Sequence, residues 1–173
     1  AVREQVAGVR ETGERVDFLS FVPDGEPTLD VNLGREIALL RPLGIPIAVI
    51  TNGSLLWRED VRAALQEADW VSLKVDAARE EVWRRVNRPH PALRLATVLE
   101  GMRAFAQTYQ GQLVTETMLV AGVNDGEAAL AEVADFLACL KPSGAYIQGG
   151  IHAHIGLHQE RQAPEAGAGR RFP

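Results

Sequence analysis

The sequence predicts an α/β fold built around a parallel sheet. Mostly apolar segments that are typical of buried strands alternate five times with segments whose apolar residues have helical spacing. Strands joined by helical crossovers run parallel, so the alternation indicates either an incomplete barrel or an open doubly wound sheet. The predicted strands cover residues 16–22, 45–50, 70–75, 112–120 and a segment that begins at residue 145.

The predicted helices lie before, between and after these strands. Residues 2–15 have apolar spacing that fits a short first helix, and residues 29–43 place Leu33, Ile37 and Leu40 on one side of a second. Asp60 is the expected N-cap of a helix that ends near residue 68, and Asp125 is the expected N-cap of the helix after the fourth strand. Residues 78–86 and a longer segment that ends near residue 109 are also predicted to be helical.

The composition is that of a soluble globular domain. The 173 residues carry a formal net charge of −5, which argues against a basic nucleic-acid groove made by this segment alone. No apolar run approaches the roughly 20 residues that span a bilayer, and the polar N-terminal segment is unlike a signal peptide, so we expect a cytoplasmic protein. Nothing in the sequence indicates a protein partner.

Polar residues follow the predicted strands directly, at the positions where parallel α/β folds bind their ligands. The order of these segments along the chain, each at a strand end, resembles the radical S-adenosylmethionine (SAM) superfamily. Within that superfamily, the branch related to wyosine-type tRNA base synthesis is the most similar. The matching segments are Asp24-Gly25-Glu26-Pro27-Thr28-Leu29, residues 50–55 (ITNGSL), residues 72–77 (SLKVDA), Asn87-Arg88-Pro89, residues 116–120 (ETMLV) and residues 122–125 (GVND).

The resemblance implies a partial (β/α) TIM-like barrel over residues 1–148, truncated at the first strand because segment 16–22 corresponds to the family's second strand. In the complete parent, a C-x3-C-x2-C segment would hold a [4Fe-4S] cluster that binds SAM. Reductive cleavage of SAM would then give a 5′-deoxyadenosyl radical that acts on a substrate, with a tRNA base as the class suggested by this branch. The cofactor supplies the difficult chemistry and the protein orients it.

The chain departs from the family pattern in its cysteines. Cys139 is the only one, and we expect it to be a small buried residue of an apolar helix. One thiolate does not hold a four-iron cluster, so we expect no cluster and no metal site in this chain. A truncated enzyme is the favoured interpretation, and a non-catalytic SAM-binding remnant is the first alternative. The second is an unrelated aldolase-like barrel that uses Lys74 as a Schiff-base nucleophile.

The resemblance assigns the cofactor site to a set of residues after the first three predicted strands. The Gly25 backbone and the Glu26 carboxylate would meet the methionyl ammonium, although Asp-Gly and Pro also suit a plain turn. Asn52 would contact a ribose or an amino acid, or else cap a helix. The full set of predicted cofactor-binding residues is Gly25, Glu26, Pro27, Thr28, Asn52, Ser72, Lys74 and Asp76.

Three of these residues alternate along one strand and therefore share a face. The resemblance places Ser72 and Asp76 toward the ribose and Lys74 near the cofactor carboxylate. The alternative is a structural ion pair of Lys74 with either Asp76 or Glu116. We assign Glu116 and Asn124 to the substrate or cofactor side of the site.

Two further groups of residues are given mainly structural interpretations. Arg84, Arg85, Asn87 and Arg88 form either a phosphate contact for RNA or, the favoured interpretation, a solvated helix face. Residues 149–173 are rich in Gly, Ala, Arg, His and Pro, and we expect a disordered or non-native tail. The tail histidines His152, His154 and His158 are therefore not expected to bind a metal.

Overall fold

The computed structural model describes residues 1–22 and 25–151 of the chain. In this part of the chain, helices and strands alternate as the sequence predicts. The elements are α1 Val2–Glu11, β1 Leu19–Phe21, α2 Leu33–Leu40, β2 Ile47–Thr51, α3 Glu59–Leu65, β3 Trp70–Lys74, α4 Glu80–Asn87, α5 Leu95–Thr108, β4 Gln112–Val120, α6 Glu127–Leu140 and β5 Gly144–Ile151, with short 3₁₀ turns at Pro27–Leu29 and Arg41–Leu43.

The strands form one parallel sheet in the order β1-β2-β3-β4-β5. The predicted α/β class with a parallel sheet is confirmed. Strands that follow one another in sequence order form a section of a barrel, whereas a doubly wound sheet reverses its strand order at a switch point. The order therefore decides between the two architectures in favour of the partial barrel.

The two faces of the sheet differ in what covers them. Helices bury one face in a large apolar core that contains Val49 and Val71 of the sheet and Phe105 of α5. On the inner face, Trp70 and Val114 belong to a small apolar cluster near the amino ends of their strands. The polar side chains of the inner face follow nearer the carboxyl ends, so this end of the sheet is the one suited to bind a polar ligand.

Several element boundaries differ from the prediction. β1 has three residues instead of the predicted seven. It lies half-exposed at the edge of the sheet, and among the described residues it pairs with a strand on one side only. Asp60 is not the N-cap of α3, because Arg58 occupies that position and Asp60 pairs with the Arg58 guanidinium from the first turn. Gly126 rather than Asp125 caps α6, and the Asp125 carboxylate accepts a hydrogen bond from the Gly122 backbone N–H instead.

Two further differences concern the C-terminal part of the chain. Cys139 is exposed on α6, so the prediction that it is buried was wrong; its neighbour Leu140 occupies the buried position of that helical turn. β5 continues to Ile151, past the predicted domain boundary at residue 148. Residues 152–173, which include the three tail histidines, lie outside the described residues. None of the described helices combines the length and apolar character needed to cross a membrane.

Candidate functional site

Two neighbouring cavities open at the carboxyl ends of the first four strands. The larger has a volume of about 860 Å³ and the smaller a volume of about 180 Å³. Gly25, Glu26, Asn52 and Lys74 line both. The segments that follow β1, β2 and β3 therefore converge on one region, as expected for parallel strands whose carboxyl ends meet at one edge.

Glu26 holds the loops after β1 and β2 together. Its Oε1 accepts hydrogen bonds from the backbone N–H of Thr28 at 3.1 Å, from the Thr28 hydroxyl at 2.7 Å and from the Thr51 hydroxyl. Its Oε2 accepts one from the backbone N–H of Asn52 at 2.7 Å. Oε1 thus accepts three hydrogen bonds and Oε2 accepts one, so Oε2 keeps capacity for a further donor. Pro27, at the start of the 3₁₀ turn, and Thr28 are buried beside it.

The polar residues of the inner sheet face come from β3 and β4. Lys74 lies directly opposite Glu116 in the strand register. The Ser72 hydroxyl donates to Glu116 Oε1 at 2.8 Å, while the Lys74 ammonium lies 3.5 Å from Asp76 Oδ1. Of the two alternative ion pairs predicted for Lys74, the described residues form the one with Asp76.

Asp76 and Asn124 support the end of the sheet. The Asp76 side chain has no exposed surface, and its oxygens accept hydrogen bonds from the Met118 backbone N–H and from the Asn87 amide, both at 2.6 Å. The Asn124 amide donates to the carbonyls of Asp76 and Met118 at 2.8 Å and accepts from the Val120 N–H at 2.7 Å. Both side chains are thus fully engaged within the chain, and Asn124 lines neither cavity.

The larger cavity extends from the sheet edge toward α4 and α5. Its walls beyond the polar groups are mainly apolar and include Trp83, Leu93, Leu95, Val98, Leu99 and Met102. The Oδ1 atom of Asn87 is buried in this wall without a hydrogen-bond partner among the described residues. Buried polar atoms of this kind are rare in folded proteins.

The arginines of the predicted basic cluster make different contacts. The Arg84 guanidinium binds the Glu80 carboxylate at 2.6 Å and the Leu93 carbonyl at 2.8 Å. Arg85 is exposed and lines neither cavity, whereas Arg88 lines the larger one in a left-handed conformation with φ of 46°. Arg84 is therefore held by contacts within the chain, while Arg85 is exposed and Arg88 borders the larger cavity.

Comparison with known families identifies the fold and its lineage. The family model described as "Radical SAM superfamily" matches residues 2–136, which is most of the chain. The chain belongs to the radical SAM superfamily. The expected family is thereby confirmed, and the segments at the strand ends fall within the matched residues.

Proteins similar to this radical SAM chain include two UPF0026 proteins. The UPF0026 protein MJ1312 of Methanocaldococcus jannaschii is 50% identical over 134 residues, which are 78% of this chain and 42% of that protein. A UPF0026 protein of Helicobacter pylori is 39% identical over 124 residues, which are 70% of this chain and 40% of that protein. The chain thus spans about two fifths of the length of these relatives.

Two solved structures show the same fold as this chain. A domain of pyruvate-formate lyase-activating enzyme from Bacteroides vulgatus has a TM-score of 0.63 at 20% identity, over 86% of this chain and 85% of that one. The structure of TYW1 with a lysine-pyruvate adduct bound has a TM-score of 0.64 at 16% identity, over 90% of this chain and 51% of that one. These likenesses establish the partial barrel.

The residues of this radical SAM chain fit its two implied cofactors differently. An apolar wall beside a polar strand edge suits a nucleoside-containing ligand such as SAM. A [4Fe-4S] cluster does not fit, because Cys139 is the only cysteine and lines neither cavity. Among the described residues, no group of three or more His, Cys, Asp or Glu side chains is arranged to hold a metal.

The apolar wall of the larger cavity was missed in the sequence. Trp83, Leu99 and Met102 have the helical spacing of core residues, and each is also buried in the main core. Periodicity identifies the buried face of a helix but does not reveal which buried residues border a cavity. Asn87 could have indicated this wall of the cavity, because it lies in the Asn-Arg-Pro segment on which the family resemblance rests.

Proposed function

We propose that this chain forms the SAM-binding part of a radical SAM enzyme, with the cofactor in the larger cavity. The observation that carries the proposal is the convergence of Glu26, Asn52, Lys74 and Asn87 around one cavity at the carboxyl edge of the sheet. The cavity volume of about 860 Å³ lies in the range of ligand sites for molecules of this size.

Each wall of the cavity has a part in holding the cofactor. The apolar side chains of α4 and α5 pack against the adenine ring. The side-chain oxygen Oδ1 of Asn52 accepts a hydrogen bond from the Ser54 backbone N–H at 2.8 Å. The side-chain NH₂ of Asn52 is therefore left to donate toward the cavity. The Lys74 ammonium attracts the cofactor carboxylate.

Glu26 and Asp76 act mainly as supports for the loops around the cavity in this proposal. Glu26 fixes the distance between the loops after β1 and β2, while Asp76 orients Asn87 and the end of β4. That these carboxylates also touch the cofactor stays a prediction, as do the contacts of Gly25, Pro27, Thr28, Ser72 and Asn124.

The whole enzyme would combine this site with a cluster bound by cysteines that this chain does not contain. SAM and such a cluster would together supply the radical chemistry of the whole enzyme. An RNA base is the substrate class that the branch resemblance suggests. This chain's own residues bind and orient the cofactor and keep water from its apolar end.

The test is the binding of S-adenosylhomocysteine, an unreactive analogue, to the 173-residue chain by calorimetry and by NMR shifts. We expect weak binding, and Asn52→Asp is expected to weaken it roughly tenfold because the variant loses the amide donor but keeps the oxygen that accepts from Ser54. Asn32→Asp is the matched control, since Asn32 is exposed and its side chain makes no cap hydrogen bond. Lack of binding at millimolar ligand, or equal affinities of the two variants, would contradict the proposal.

A further inference from the structure

The chain contains two methionines, and both line the larger cavity. Met102 of α5 has only 2% of its surface exposed and belongs to the main apolar core. Met118 of β4 is only half-buried. A thioether reacts with a dissolved oxidant to the extent that the oxidant reaches its sulfur. Met118 is therefore the methionine that an oxidant entering the cavity meets first.

Met118 lies beside the charged groups at the edge of the sheet. Its backbone N–H donates to Asp76 Oδ1 at 2.6 Å, and the Lys74 ammonium lies 3.5 Å from the same oxygen. Met118 follows Glu116, the register partner of Lys74, by two positions, so the two side chains of β4 share the inner face. A change of polarity at residue 118 therefore alters the surroundings of Lys74.

Oxidation makes the Met118 side chain polar. The thioether sulfur attacks one oxygen of hydrogen peroxide, the O–O bond breaks, and the products are a sulfoxide and water. Sulfur loses two electrons and the peroxide gains them. The sulfoxide oxygen is a hydrogen-bond acceptor, so it competes with the cofactor carboxylate for the Lys74 ammonium. A bound cofactor must also remove water from this new polar group, which costs binding free energy.

We propose that Met118 is an oxidation site that switches the larger cavity from a binding form, the thioether, to a non-binding form, the sulfoxide. The oxidant is hydrogen peroxide. This inference rests on the proposed function, because the affinity that changes is the affinity for the cofactor. A bound cofactor covers the cavity wall and protects Met118. A methionine sulfoxide reductase, with a dithiol as the electron donor, returns the thioether and makes the switch reversible.

The first experiment compares the reaction rates of the two methionines. The 173-residue chain is treated with hydrogen peroxide, with and without S-adenosylhomocysteine, and the added oxygen is located by peptide mass spectrometry. Every sample carries Cys139→Ser, because the exposed Cys139 thiol also reacts with peroxide. We expect Met118 to oxidise at least about tenfold faster than Met102, and we expect the analogue to slow the reaction of Met118.

The second experiment measures the affinity for the analogue before and after oxidation, by calorimetry and NMR shifts. We expect oxidation to weaken binding at least about tenfold and the reductase to restore it. Met118→Leu has a similar volume but no sulfur, so its affinity should be the same before and after peroxide treatment. Met102→Leu is the matched variant, since it keeps Met118 and should lose affinity on oxidation as the parent chain does.

The outcomes separate this inference from the proposed function. Faster oxidation of Met118, with a loss of affinity that Met118→Leu prevents, supports the inference. Equal reaction rates of the two methionines, unchanged affinity of the Met118 sulfoxide, or an equal loss in oxidised Met118→Leu overturns it. Global unfolding of the sulfoxide form, measured by circular dichroism, also overturns it. If the untreated chain binds no analogue, the proposed function is overturned, and the rate difference between the methionines decides the oxidation site by itself.

Discussion

The backbone N–H of Asn52 donates a hydrogen bond of 2.7 Å to Oε2 of Glu26. The bond links the loop after β1 to the loop after β2, and Glu26 Oε1 reinforces the link through the Thr51 hydroxyl. Two loops that border both cavities therefore depend on one carboxylate. The glutamate of the Gly25-Glu26 segment is a structural support for the site, whatever ligand it meets.

Replacement of Glu26 by alanine should destabilise the fold. Four donors lose their acceptor, and we expect the free energy of unfolding to fall by roughly 2–3 kcal/mol, since hydrogen bonds to a charged group are worth more than neutral ones. Urea denaturation measures this change, and faster amide exchange at Thr28 and Asn52 would locate it. Glu100→Ala, on the exposed face of α5, is the control. Equal stability of the two variants would show that water replaces these bonds without cost.

The location of the site was easier to predict from the sequence than the contacts that its residues make. Strand ends could be located because apolar segments end at polar ones, and the parallel order then placed Lys74 beside Glu116. The partners of Glu26 could not be predicted, because Thr51 and Asn52 lie 25 and 26 positions away and meet it only once β1 and β2 pair in register. The same holds for Asn124, whose amide bonds the Asp76 carbonyl 48 positions away.

Asp76→Asn tests the second support of the site. In the native chain both carboxylate oxygens of Asp76 face donors, the Met118 N–H and the Asn87 amide. In the variant, the NH₂ group of the asparagine faces one of these donors, and Lys74 loses its ion pair. We therefore expect the free energy of unfolding to fall by about 2–4 kcal/mol. Thermal denaturation measures it. Asp125→Asn should change little, since the exposed Asp125 uses a single oxygen as acceptor. A loss below about 1 kcal/mol for Asp76→Asn would count against this account.

Tyr109 should make the fold sensitive to alkali. Burial raises the pKa of its hydroxyl well above the usual value, with a smaller contribution from the Asp69 charge, and the hydroxyl donates to the Ala68 carbonyl at 2.9 Å. Because the folded pKa exceeds the unfolded value of about 10, this contribution to stability is complete below about pH 10 and is lost as the pH rises further. Unfolding free energies measured from pH 8 to 11.5 should therefore fall more steeply for the native chain than for Tyr109→Phe. Parallel pH profiles of the two proteins would refute the assignment.

The last prediction concerns the contact between α5 and the loop after β2. A Cβ added at Gly101 would lie 2.4 Å from the Trp57 backbone nitrogen and 2.5 Å from the Leu56 carbonyl carbon. Backbone atoms cannot rotate away as a side chain does, so helix and loop must separate. We expect Gly101→Ala to cost about 2–4 kcal/mol despite the better helix propensity of alanine.

Gly8 provides the matched control for this substitution. It also lies within a helix, and an added Cβ there meets no atom within 4 Å. Gly8→Ala should therefore be neutral or stabilise the fold by up to about 1 kcal/mol through helix propensity. Urea denaturation of both variants gives the comparison. Since the displaced loop carries Asn52, Gly101→Ala should also weaken S-adenosylhomocysteine binding while Gly8→Ala does not. If Gly101→Ala keeps both native stability and native affinity, the helix does not set the position of this loop.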